Sequence, residues 1–289
     1  MKLVNLFTGQ KRLILENYKS YSNIQLKKID NNYNFFVFWD EDIITKDEEY
    51  ILKKTLKNYN YKIIKKELFI KKYKKIFNKI NLNKLLNNND KNNLIAWLHQ
   101  YYILNEAFIY AKKTLGSISK QFFWQRIRSD NFIPNKINVD QIIKSKIKLH
   151  FPGAKFAFGL NDFHCIGNYH SFKIYAESIN LLKILVNNSI YLPPELIVSS
   201  QLVRNKTEYT INRSLPTCLI GKKQSVPYIR SLISREKSYQ YIDFNFSNYK
   251  PINNDINKSE KFLSSLFRRF YYYINDIYTF LLFYLRKLN

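Results

Sequence analysis

Short apolar runs that stop at charged or turn-forming residues dominate the first part of the chain. LVNLF (3–7) is closed by Thr8-Gly9, which predicts a strand and a turn. NFFVFW (34–39) is a second such run and stops at Asp40-Glu41-Asp42. Thr45 then opens T-K-D-E, a capping box in which Glu48 reaches back to the Thr45 amide, so a helix is expected to about residue 58. YKIIKKELFI (61–70) fits a third strand, and a helix running through residue 80 competes for the same residues. After Asp90, read as an N-cap, Leu94, Trp97, Leu98, Tyr101, Leu104, Phe108, Ala111 and Leu115 recur at spacings of three and four, and Gly116 is placed to end that helix. QFFWQRI (121–127), IKLHF (147–151) and KFAFG (155–159) read as strands, with a helix over 168–187. Pro193-Pro194 opens a further helix at PELIVSSQLVR, and TEYTINR (207–213) is extended. Strands alternating with helices imply an α/β domain with a largely parallel sheet.

Composition narrows this without deciding function. At 289 residues and 46% hydrophobic content, the chain is long and apolar enough to bury a substantial core. Cys165 and Cys218 make neither a disulfide framework nor a metal-ligand spacing, which favours a reducing, cytoplasmic setting. The opening MKLVNLFTGQKRL reads as a first strand rather than a signal peptide. A net charge of +25 points toward nucleic acid or an anionic membrane. Against that, Lys, Asn, Ile, Tyr and Phe are abundant together, as expected of an A+T-rich genome, and no helix-turn-helix, zinc-finger or RNP pattern occurs. A nucleic-acid-binding protein is therefore the alternative reading, beside a catalytically inactive membrane-surface or scaffold protein.

The chemistry sits at strand ends. In open α/β sheets ligands bind beyond the carboxyl ends of strands. Four charged groups fall at such ends: Gly9-Gln10-Lys11-Arg12, Asp40-Glu41-Asp42, Arg128-Ser129-Asp130 and Asn161-Asp162. Any one of them reads equally as a solvated strand terminus. Together they offer arginines and a lysine for a diphosphate and carboxylates for a metal or a proton. There is no G-x-G-x-x-G fingerprint and no G-K-[ST] phosphate loop. Asp40-x-Asp42 is a literal D-x-D, early in the chain for a metal site. His164 and His170 lack zinc spacing, and His99 reads as a partly exposed helix residue. Trp39 and Trp124 are expected in the core, and Glu195 at a helix start.

The order of motifs resembles a known family. FTGQKR (7–12), FFVFWDED (35–42), HQYYILNEAFIYAKK (99–113), WQRIRSD (124–130), FAFGLNDFHCIGNYHSFKIYAE (156–177) and PPELIVSSQLV (193–203) together resemble the polysaccharide and lipopolysaccharide glycosyltransferase-like proteins of bacteria and large viruses. The resemblance spans roughly 3–215. It implies a GT-A-like, Rossmann-like fold: a mixed, mostly parallel sheet flanked by helices, with R-x-R-x-D in the place of the metal-binding D-x-D. It further implies a nucleotide-sugar donor and a glycan or lipid-linked acceptor. Gly9, Gln10, Arg12, Asp40, Arg126, Arg128 and Asp130 would approach the donor, with Asp130 a position for Mn²⁺ or Mg²⁺. Asp162 and His164 would face the acceptor, and Asp162 and Arg128 would carry catalysis. Arg128 stands where the first acidic residue of D-x-D would be, so an arginine in place of a metal is the competing arrangement.

The C-terminus differs in kind. Residues 236–260, rich in Ser, Asn and Tyr, read as a linker between a domain over 1–235 and a helical extension over 261–289. FLSSLFRRFYYYINDIYTFLLFYLRKL (262–288) is dense in aromatics, with Arg268, Arg269, Arg286 and Lys287 near its ends. Its apolar stretch is interrupted by Asn275-Asp276 and is short for a span of about 20 residues. An interfacial helix on an anionic leaflet is expected, with packing against the domain or a partner as the other reading.

Overall fold

The computed structural model describes residues 2–11, 14–83, 88–133, 136–144, 149–152, 160, 164–187, 194–212, 215, 218–223, 226–231 and 239–241. Its centre is a seven-stranded sheet made by β1 (Leu3–Thr8), β2 (Asn32–Trp39), β3 (Tyr59–Ile64), β4 (Phe123–Arg128), β6 (Leu149–Phe151), β7 (His164–Asn168) and β8 (Thr210–Ile211). The strand order is β3-β2-β1-β4-β7-β6-β8. Every neighbouring pair is parallel except the two that involve β7. The expected mixed, mostly parallel sheet flanked by helices is the architecture found.

Two apolar layers cover the sheet. One holds α3 (Lys66–Leu82), α4 (Asn88–Leu115), α6 (Tyr169–Ala176), α7 (Ser178–Asn187) and α8 (Pro194–Arg204). They pack over Val4, Leu6, Phe35, Val37 and Trp124. The opposite layer holds α1 (Ile14–Asn17), the 3-10 turns of Tyr18–Ile24, α2 (Lys46–Thr55) and α5 (Val139–Lys144), over Leu3, Phe7, Phe36, Phe38 and Ile127. Alternate residues of each central strand serve opposite layers, so β1 and β2 read as nearly continuous apolar runs rather than alternating ones. Trp124 is fully buried, 4.8 Å from Phe108 ring to ring, and its Nε1 donates to the Ser119 carbonyl at 3.1 Å. Trp39 is likewise core.

Local signals explain most boundaries. The capping box at α2 is complete: Thr45 Oγ1 accepts from the Glu48 amide at 3.2 Å, and Glu48 accepts from the Thr45 amide at 2.7 Å. The ambiguous stretch after residue 60 resolves into both candidates. β3 ends at Ile64, and α3 begins at Lys66, whose amide donates to Asp40 Oδ1 at 3.2 Å. The long helix starts at Asn88, so Asp90 lies in its first turn rather than before it. The single helix expected over 168–187 is two. Asn168 caps α6 by accepting from Ser171, and the chain breaks at Glu177 before α7.

A second sheet has the order β11-β10-β9-β5, all antiparallel, from β5 (Asn131–Phe132), β9 (Cys218–Lys223), β10 (Val226–Ser231) and β11 (Tyr239–Tyr241). It was not anticipated, and β11 falls inside the stretch read as a linker. The expected strand at 155–159 and the helix at 262–288 lie outside the described residues.

Candidate functional site

β1 is the strand at which the sheet order reverses, with β2 and β3 on one side and β4 on the other. The crevice beyond the carboxyl ends of two such diverging strands is where open α/β sheets take ligands. Here the register puts Thr8 beside Arg128, so Gly9-Gln10-Lys11 and Ser129-Asp130 leave the sheet side by side. Two of the four charged groups read from the sequence therefore meet at the switch point.

Their backbones are clamped to one another. The Ser129 amide donates to the Thr8 carbonyl at 3.3 Å, and Ser129 Oγ donates to the Gln10 carbonyl. From the covering layer, Tyr21 Oη donates to the Ser129 carbonyl at 2.6 Å. Asn17 Nδ2 bridges the carbonyls of Ser129 and Asn131 at 3.0 and 2.9 Å. Asn17, Tyr21 and Ser129 are all buried, so the bonds that Asn17 and Tyr21 make are shielded from competing water. Gly9 makes the turn with φ +118, a conformation that side chains with a Cβ rarely adopt. Gly9→Ala is expected to lower stability by about 1–2 kcal/mol. Urea unfolding reads this, and an unchanged midpoint would show that the turn tolerates a side chain.

The arginines divide into two roles. Arg126 is completely buried, contrary to a donor-facing position. Its Nε donates to Thr8 Oγ1 at 3.3 Å and its Nη1 to Tyr175 Oη at 2.7 Å, which ties the end of β1 to α6. Arg128 is the last residue of β4 and reaches the surface, with 17% of its side chain exposed. Its Nε and Nη2 donate to the two oxygens of Asp130 at 2.9 and 2.8 Å. Asp130 is only 2% exposed, not partly exposed as a residue past a strand end would be. This fork fixes the plane of the Arg128 guanidinium at the mouth of the crevice.

Other expected site residues are placed elsewhere. Lys11 Nζ is held by the Ile43 carbonyl at 2.8 Å and by Glu48 Oε2 at 2.9 Å. Burial pushes the Glu48 carboxyl up, but Lys11 and Thr45 outweigh burial and hold it below its ordinary value. Asp40 turns its carboxylate to the first amide of α3, so it serves a helix start and not the β1–β4 crevice. His164 is fully buried against Gln125, and burial lowers it to about 3, which removes it from acceptor contact. His99 is half-buried between the rings of Trp39, Phe69 and Phe77, and burial first and Lys66 second lower it to about 4. Arg12 and Asp162 lie outside the described residues.

A divalent ion at Asp130 fits these surroundings poorly. Both carboxylate oxygens are engaged by Arg128, so a cation there would have to displace the guanidinium. Among the described residues no three His, Cys, Asp or Glu side chains are grouped to hold a metal. No helix among the described residues is long and apolar enough to cross a membrane.

No protein-family model matches the chain, and no curated protein matches it. Among solved structures, the chain is similar to the crystal structure of mouse xyloside xylosyltransferase 1 in its apo form. The TM-score is 0.41 and the identity 8%, over 73% of this chain and 84% of that one. At that distance the likeness carries no information about individual residues.

Proposed function

We propose that the chain is a GT-A-type glycosyltransferase that moves a sugar from a nucleotide-sugar donor to a glycan or lipid-linked acceptor in surface polysaccharide synthesis. The observation that carries this reading is the arginine held by Asp130 at the β1–β4 switch point, beside a glycine turn. A diphosphate leaving group gathers negative charge as the sugar departs, and a guanidinium already fixed in place stabilises that charge without reorganising. Arg128 has that role in this proposal. Asp130 positions it, and Thr8, Ser129, Asn17 and Tyr21 keep the two loops at a constant separation. The turn at Gly9-Gln10 brings backbone close to the nucleotide. Arg12 remains a proposed second cation for the diphosphate.

Asp162 precedes β7 by two residues, and β7 enters the sheet at His164, paired with Ile127 beside the same edge. On this reading Asp162 takes the acceptor hydroxyl proton if the reaction inverts the anomeric centre. It orients the acceptor if configuration is retained. The test is a thermal-melting screen against nucleoside diphosphates and nucleotide sugars, with and without Mn²⁺. Peripheral membrane placement through 262–288 stays part of the proposal, for that segment lies outside the described residues.

A further inference from the structure

α3 carries a surface that the crevice does not use. Within Lys66–Leu82 the sequence places six lysines, at 66, 71, 72, 74, 75 and 79, against the single acid Glu67. Three of the six are tied inside the domain. Lys66 pairs with Glu41 at 2.7 Å, Lys72 lies 3.8 Å from Glu106, and Lys79 donates to Asn187 at 2.9 Å. Lys71, Lys74 and Lys75 are exposed, and among the described residues no carboxylate comes within ion-pair distance of them.

The face is not merely charged. Phe69, Tyr73 and Ile80 turn to the core. Leu68, Lys71, Lys75 and Leu82 follow at steps of three, four and seven, which is one outward stripe of the helix. Leu68 is 59% and Leu82 78% exposed. Aliphatic groups spaced along a lysine stripe match the boundary of an anionic bilayer, where apolar side chains enter and ammonium groups meet phosphates. They suit nucleic acid less well. Strand recognition gains from exposed aromatics that stack on bases, and the aromatics of α3 face inward or are half-buried.

We infer that the outward face of α3, with Lys71, Lys74, Lys75, Leu68 and Leu82, docks the protein on an anionic lipid surface. This holds whatever chemistry the crevice performs. The helix is about 25 Å long and begins at the carboxyl edge of the sheet, the edge on which the crevice opens.

Flotation of the full chain with vesicles tests this, comparing phosphatidylglycerol-rich with pure phosphatidylcholine membranes. Binding is expected to the former, to weaken with salt, and to fall roughly 100-fold in K71E/K74E/K75E, since each lysine contributes about fivefold near a charged leaflet. L68S/L82S is expected to weaken binding at constant charge. Both variants alter exposed positions, and an unchanged melting temperature confirms that they fold. Wild-type binding by K71E/K74E/K75E would overturn the inference and leave 262–288 as the contact. Absence of vesicle binding, or tighter binding to a single-stranded oligonucleotide than to vesicles, would overturn it as well.

Discussion

Arg128→Ala is expected to cost about 3 kcal/mol of stability, and Asp130→Ala only about 1 kcal/mol, although the two residues share one ion pair. The asymmetry comes from exposure. Asp130 is 2% exposed, so loss of Arg128 takes two charge-assisted hydrogen bonds from a carboxylate that water barely reaches. Arg128 is 17% exposed and ends a strand, so without Asp130 its guanidinium still has access to water. Removing both residues is expected to cost less than Arg128→Ala, because the buried carboxylate goes with its arginine. Urea unfolding of the two single variants and the double variant forms the cycle. Additive losses, or a larger loss in Asp130→Ala, would show that the pair is a surface contact of little consequence.

The second large effect is a pH dependence centred on His164. Its ring is fully buried on the face shared by Ile127 and Ile166, and burial lowers its protonation to about 3 from an ordinary 6.5. Above pH 6.5 the ring is neutral in both folded and unfolded chains and contributes no slope. As pH falls through 6.5 the unfolded chain takes up a proton that the folded chain refuses. Stability therefore declines with acidification down to about pH 3, by on the order of 1 kcal/mol per pH unit. His99 acts with the same sign and a smaller weight, because it is half-buried. His164→Gln retains an amide to meet Gln125 and removes the titration. It is expected to be slightly less stable than the parent at neutral pH and to match or exceed it near pH 4. Parallel stability profiles for the two proteins between pH 7 and 4 would contradict the assignment.

The elements that were legible share a cause. β1 and β2 are buried on both faces, so they appear as nearly continuous apolar runs, and the α2 boundary follows from a capping box written into four consecutive residues. The crevice was half legible. G-Q and R-S-D mark two strand ends, but that β1 and β4 are neighbours depends on sheet order, which local patterning does not encode. Asn17 and Tyr21 were not anticipated, since they reach Ser129 across more than a hundred residues. Asp40 misled for the opposite reason. A carboxylate after a strand looks the same whether it serves a ligand or, as here, the first amide of a helix 26 residues further on. The second sheet escaped notice because β5 is two residues long and pairs with β9. Its sequence carries no signal of that partner.

The most direct test of the central claim compares the full chain with Arg128→Ala in a thermal-melting titration with uridine, guanosine and cytidine diphosphates. A ligand at about 100 times its dissociation constant stabilises the native state by about 2.7 kcal/mol. In a chain of this size that corresponds to a rise in Tm of roughly 5–10 °C. The account expects such a rise with at least one of the three diphosphates, reduced or absent in Arg128→Ala, and retained without Mn²⁺. No shift with any diphosphate at millimolar concentration, or an equal shift in parent and Arg128→Ala, would contradict a diphosphate site at the β1–β4 switch point.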